Sequence, residues 1–244
     1  MNATLTTAEV RLHIVDSTMN AAKAMAGDQD FFLISAREQT AGKGTRGRVW
    51  QSPQGNVYMT VGIHRRRLSP ERMALLPLEM GLLLRNEIGS RLSEAQRREL
   101  HLKWPNDLLL AGRKIAGILM ESHGEFMLIG FGINLAAAPV VADGGTPSAR
   151  LADFGLTAND DETLATGLFR RIVDTIVGES AEDGFDAERL LLEWQAMVDW
   201  NEWHRLRDRE GTPRVLPIAV NRQGHLLVRH EDGREEWLVA EYLA

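Results

Sequence analysis

The chain has 244 residues and a mass of 27.2 kDa; 44% of its residues are apolar and 25% charged, its net charge is −6, and it contains no cysteine. That length and balance suit one large domain, or a domain with a small appendage, that buries a real core. The acidic balance argues against a general nucleic-acid surface, and the missing cysteines exclude disulfides, thiolate nucleophiles and cysteine metal sites. No run approaches the roughly eighteen apolar residues of a membrane span, and no signal-peptide core opens the sequence, so a cytoplasmic protein is expected.

In chain order, "VRLHIV" (Val10 to Val15) alternates like a strand, and "DSTMNAAKAMAGD" follows with Asp16 or Ser17 placed to cap a short Ala-rich helix. "FFLISA" (Phe31 to Ala36) predicts a buried strand and "NVYMTVGIH" (Asn56 to His64) another, with a glycine-rich loop between them. Ser69 and Pro70 open a helical pattern, with Pro77 expected to kink it. From Leu100 the rhythm becomes "LHLKW", "DLLLA", "KIAGILMES" and "EFMLIGFGI", strands with turns at Ala111 to Arg113 and His123 to Glu125. Helical patterns resume from Asp160 to Val177 and from Asp186 to about Val198, and the tail breaks into short β segments. The order predicts an α+β fold with a β appendage, divided into residues 1–205 and 206–244.

Three segments carry chemistry. In "QTAGKGTRGRVW" (Gln39 to Trp50), Gly42, Gly44 and Gly47 let a ligand approach the main chain, while Lys43, Arg46 and Arg48 supply charge for an anion. No Gly-Lys-Ser/Thr ends this loop, and a strand rather than a helix follows, so neither a Walker loop nor a dinucleotide fingerprint fits. A solvated basic turn is the alternative. In "KWPNDLLLAGRKIAGILME" (Lys103 to Glu121), Pro105 holds Asn106 and Asp107 at a strand junction, as oxygen donors suited to Mg²⁺ and phosphate or as a self-bonded turn. Lys114 opens an apolar strand, as a ligand-facing ammonium or an edge guard. In "LIGFGINL" (Leu128 to Leu135), Gly130 and Gly132 interrupt a strand that Asn134 ends, as a β-bulge would. No paired histidine spacing and no Gly-x-Ser-x-Gly elbow is present.

Together with "DSTMNAA", these segments resemble, in order and spacing, the motifs of the biotin protein ligase family over nearly the whole chain. The resemblance implies a mixed sheet with helices on one side and a small C-terminal β-barrel, in the form without an N-terminal DNA-binding domain. It also implies an activity: biotin and ATP give biotinyl-5'-AMP, and biotin then passes to a lysine of a biotin carboxyl carrier domain. Lipoate or octanoate ligation, or a non-catalytic biotin- or carrier-binding module, are the other readings. By the resemblance, Ser17, Thr18 and Gln39 contact the biotin ring, and Gly42, Lys43, Gly44 and Thr45 form a flap over biotin and its carboxylate. Lys114 meets the carboxylate and the α-phosphate, and Gly117, Gly130 and Gly132 let the ligand lie on the sheet. Arg48, Trp50 and Asn134 belong near the adenylate. Lys103, Asn106 and Asp107 serve phosphates, Mg²⁺ or the acceptor amine, with Asn106 and Asp107 as the metal candidates. Lys43, Arg46, Arg48, Lys114 and Asp107 form the catalytic set. Lys43 and Thr45 depart from the family's arginines. No nucleic-acid or membrane partner is implied, and either a monomer or a homodimer is expected.

Overall fold

The computed structural model describes residues 5–139, 146–178, 184–206 and 213–239. Its main sheet is built from β1 (Thr7–Val15), β2 (Phe31–Gln39), β3 (Val57–His64), β4 (Leu100–Lys103), β5 (Asp107–Leu110), β6 (Arg113–His123) and β7 (Phe126–Ile133). Its spatial order is β1-β2-β3-β7-β6-β5-β4. Only β1 and β2 run parallel, joined by the crossover helix α1 (Thr18–Met25); the other neighbours are antiparallel. The turns expected at Ala111 and His123 close the β5–β6 and β6–β7 hairpins, with Ala111, Gly112 and Gly124 at positive φ.

Alternation along the strands separates two cores. Phe31, Leu33, Met127 and Ile129 face the large core formed with α2 (Pro70–Gly89), α4 (Asp161–Gly178) and α5 (Ala187–Gln195). Phe32, Ile34, Phe126 and Leu128 point the other way and pack with Met19 and Ala22 of α1. Helices therefore cover both faces, the long α2 and α4 with the shorter α5 on one and α1 on the other, whereas a one-sided layer was expected. The cause is the Met19/Ala22 spacing, which gives α1 an apolar stripe of its own. Each fully buried Leu or Phe contributes about 1.5–3 kcal/mol, so the large core dominates stability.

Ser69 caps α2 by accepting from the Arg72 N–H at 3.1 Å, and the helix continues through Pro77 to Gly89. A short α3 (Glu94–Arg98) with a Ser93/Gln96 capping box leads into β4. The tail forms β8 (His204–Arg205), β9 (Arg214–Val220), β10 (Leu226–His230) and β11 (Glu235–Leu238), an antiparallel sheet ordered β11-β10-β9-β8. Among the described residues this sheet is open, so the small barrel expected from the resemblance is not closed; β8 and β11 do not pair. No helix among the described residues is long and apolar enough to cross a membrane.

Candidate functional site

The α1 face of β3, β6 and β7 is bare where glycines stand, and the site lies there. At one end, Ser17 is buried as the N-cap of α1, its hydroxyl accepting from the Met19 N–H at 3.3 Å. Beside it runs a string of short polar groups. The Thr60 hydroxyl donates to that of Thr18 (3.0 Å), and the Thr18 N–H and hydroxyl donate to Gln39 Oε1 (2.8 and 3.1 Å). Gln39 Nε2 donates to Ser52 Oγ (2.9 Å), which donates to the Trp50 carbonyl (3.0 Å). Ser17, Thr18, Ser52 and Thr60 are all buried. Polar groups held this way in an apolar sheet form a preorganised hydrogen-bonding wall.

The glycine loop folds back along this wall. The Thr40 and Ala41 N–H groups donate to the carbonyls of Val15 and Asp16 (2.9 and 2.8 Å), and the Trp50 N–H donates to the Gly42 carbonyl (2.9 Å). A Cβ on Gly42 would lie 2.4 Å from the Trp50 carbonyl oxygen and 2.5 Å from Ser52 Oγ, so only glycine fits there. Beyond it, the Gly44 N–H donates to the Arg48 carbonyl (2.7 Å), and Arg46 adopts a left-handed conformation at φ 58°. Arg48 donates through Nη2 to the Thr45 hydroxyl (2.8 Å) and through Nε to its carbonyl (3.2 Å). Thr45 thus holds an arginine where the family pattern has one of its own. Lys43 Nζ sits 2.5 Å from Asn20 Oδ1, and Asn20 Nδ2 donates to Asp16 at 2.5 Å. That bond from Asn20, with the Ser17 N–H, holds the Asp16 carboxyl below its ordinary range.

Trp50 lies across the floor. A Cβ on Gly132 would come within 2.4 Å of its indole, and one on Gly117 within 3.0 Å. Gly130 is covered instead by Met19, whose Cε would be 3.1 Å from such a Cβ. The Trp50 Nε1–H is buried and has no hydrogen-bond partner among the described residues. At the far end, Lys114 Nζ is 5.3 Å from the Trp50 ring centroid and 2.5 Å from Asp107 Oδ1. A register shift between Leu108 and Leu109 sets Lys114 beside Leu109 and Gly117 beside Asp107, which brings that pair together.

The remaining expected residues split. Asn106 binds β6 through both its side chain (Nδ2 to the Ile118 carbonyl, 2.7 Å) and its carbonyl (from the Ile118 N–H, 2.9 Å). Lys103 Nζ donates to Thr146 Oγ1 at 2.7 Å. Asn134 donates to the Lys114 and Ala149 carbonyls (3.3 and 3.2 Å), while its buried Oδ1 has no donor among the described residues. No cluster of three metal-ligating acids or histidines occurs among the described residues, and Asp107 is already paired with Lys114. An ion held by Asn106 and Asp107 would share Asp107 with the Lys114 ammonium. Sequence reasoning missed Ser52, Thr60 and Asn20. Thr60 carried a signal, as the one hydroxyl in the apolar run "VYMTVGI" that is not at its rim.

The loop's hydrogen bonds divide its expected mobility. Amides of Thr40, Ala41 and Trp50 are expected to exchange slowly without ligand, and those of Thr45 and Gly47 quickly, slowing when a ligand covers the loop. Hydrogen–deuterium exchange with and without ligand checks this; equal rates in both states at Thr45 and Gly47 would refute closure of the flap.

A profile of the biotin/lipoate A/B protein ligase family matches residues 13–134. A biotin protein ligase from Leishmania major, solved with biotinyl-5-AMP, is 32% identical with a TM-score of 0.71, over 95% of this chain and 98% of that one. A biotin protein ligase from Aquifex aeolicus, solved with biotin and ATP, shares the fold at 22% identity with a TM-score of 0.76, over 95% of each chain. Among curated relatives, a biotin–[acetyl-CoA-carboxylase] ligase of Mycobacterium tuberculosis is 32% identical over 64% of this chain, and one of Paracoccus denitrificans 40% over 54%. The chain spans 58% of the length of each of these two.

Proposed function

Because the chain belongs to the biotin/lipoate A/B protein ligase family, we propose that it is a biotin protein ligase that activates biotin with ATP and passes it to a carrier lysine. The observation that carries this reading is the layout of the floor. A polar wall suited to a ureido ring stands at one end, an ammonium–carboxylate pair at the other, and glycine backbone lies between them. The biotinyl-5-AMP and biotin complexes of the 32%-identical Leishmania major protein favour biotin over lipoate.

In the first step, the biotin carboxylate attacks the α-phosphorus of ATP and pyrophosphate leaves. The carboxylate is already ionised, so no base is needed. The obstacle is bringing two anions together, which costs about 4 kcal/mol at ~4 Å and a near-surface dielectric. Lys114 meets both, and Lys43, Arg46 and Arg48 close over them from the flap. Gly42 and Gly44 bring the flap backbone onto biotin. For the ring to be held, Thr18 and Gln39 turn their hydrogen bonds toward it, with Ser17 fixing the start of α1. Trp50 leaves the floor over Gly117 and Gly132 and covers the adenine, where Asn134 Oδ1 offers an acceptor for its amine. Lys103 and Asn106 support the phosphate end. Mg²⁺ would accompany the phosphates of ATP and offset part of their charge.

In the second step, the amine of a carrier lysine attacks the acyl carbon and AMP leaves. That amine must first lose a proton; holding it neutral near pH 7.4 costs about 4 kcal/mol. Asp107 is the carboxylate nearest the acyl end and orients it. The acceptor is the biotin carboxyl carrier domain of a carboxylase, and the reaction is cytoplasmic. The C-terminal sheet is an appended module supporting the catalytic part. Biotin-dependent release of pyrophosphate from ATP, followed by label transfer from biotin to a purified carrier domain, tests the whole reading. Pyrophosphate release without label transfer leaves only the activation step, and no release sinks the proposal.

A further inference from the structure

The β4–β5 hairpin, residues 103–107, carries Lys103, Asn106 and Asp107 on one short turn. It is pinned on two sides. Asn106 holds it to β6, as described above. On the opposite side, Trp104 Nε1 donates to the Gly224 carbonyl at 3.0 Å, across to the C-terminal sheet. Gly224 stands in the β9–β10 turn at φ 75°, and its Cα lies close enough to α2 that a Cβ would be 3.1 Å from the Ala74 carbonyl. The turn is rigid in itself: Asn221 Oδ1 accepts from the N–H groups of Gln223 and His225 (3.0 Å each), and the Asn221 N–H donates to the His225 carbonyl (3.1 Å). Arg222 of the same turn pairs with Glu71 of α2 and Glu188 of α5.

We propose that Trp104 is a positioning residue, through which the C-terminal sheet fixes the hairpin that holds Asp107 against Lys114. This rests on the ligase reading of the site. Trp104 is three residues from Asp107, and Asp107 is paired through β5 to Gly117 and by charge to Lys114. A tilt of the hairpin about the Asn106 pin moves the Asp107 carboxylate relative to the floor, while the polar wall at the other end stays where it is. The linkage therefore acts on turnover and leaves biotin recognition alone.

The test is a double-mutant cycle of Trp104→Phe and Asp107→Asn, read by biotin-dependent carrier labelling. Phenylalanine keeps most of the packing and removes the N–H. Trp104→Phe is expected to lower kcat about two- to tenfold, the range for one lost hydrogen bond, with KM for biotin within about twofold. The double variant is expected to be no slower than Asp107→Asn alone. Additive losses, or a rise in biotin KM matching the fall in kcat, would overturn the proposal, because a merely structural tryptophan gives those results. Asn221→Ala approaches the same contact from the module side and decides the matter if Trp104→Phe does not fold. It should reproduce the kcat loss, and unchanged kcat would overturn the linkage. Failure of the native protein to release pyrophosphate with biotin and ATP would instead sink the ligase reading, and is seen before any variant is made.

Discussion

Replacing Lys114 with alanine is expected to slow biotin-dependent pyrophosphate release about a hundred- to a thousandfold, the range for loss of one preorganised charge-stabilising group. Its ammonium lies beside both Asp107 and the floor, 2.5 Å from the carboxylate and 5.3 Å from the centre of the Trp50 ring. Stability should change little. Asp107 Oδ1 is buried behind the ammonium, but the two side chains are 23% and 18% exposed, so removing the lysine chain opens that oxygen to water. A loss near 1 kcal/mol lowers Tm by about 2–4 °C in a protein of this size. Pyrophosphate release and a thermal melt on the same preparation separate the two effects. A normal rate of adenylate formation would mean that Lys114 serves only to neutralise Asp107.

Gly42→Ala attacks the other end. The new methyl would meet the Trp50 carbonyl oxygen at 2.4 Å, Ser52 Oγ at 2.5 Å and Gln39 Nε2 at 3.0 Å. One of these contacts is backbone, so the loop itself must move, and the bond from the Trp50 N–H to the Gly42 carbonyl goes with it. Overpacking of this kind costs about 1–3 kcal/mol. The displaced Gln39 then loses its bond to Ser52, and with it the alignment of the Thr18 end of the wall. Biotin affinity is expected to fall at least about tenfold, measured by calorimetric titration without ATP, while KM for ATP moves less. Unchanged affinity would remove the Gln39 string from the biotin contacts.

Local patterns in the sequence were enough for the elements. Ser17 and Ser69 cap the helices that follow them, and the hairpin turns fall at Ala111 and Gly124. Pro77 lies inside α2 without ending it, and the surrounding core of Leu75, Leu76, Leu78 and Met80 holds the helix together on either side. The sheet order was not legible, since β3 pairs with β7 across the whole of α2 and three intervening strands. The site divides in the same way. Motif spacing marked Lys114 and Asp107 each on its own account, but their contact depends on a one-residue shift in β5–β6 pairing that no periodicity reveals. Asn106 looked like an oxygen donor for a ligand; the structure shows its Nδ2 bound to the Ile118 carbonyl of β6, a bond that fixes the side chain without using Oδ1. Gly117, Gly130 and Gly132 looked alike in sequence. Tertiary packing gives two of them to Trp50 and one to Met19.

The seating of Trp50 has a thermodynamic consequence. The indole lies against Gly117 and Gly132, so a ligand that takes its place there exchanges one apolar cover for another. Net burial of apolar surface is then smaller than the ligand's own footprint, and the heat-capacity change on binding is correspondingly less negative. The apparent dissociation constant is also the intrinsic one divided by the fraction of molecules in which the indole has already swung away, so affinity is scaled down by that fraction. An anionic ligand recovers that loss at Lys114, whose nearest aromatic contact is the same ring, whereas an uncharged analogue of equal shape does not. On the proposed reading, the floor would select by charge before the flap closes.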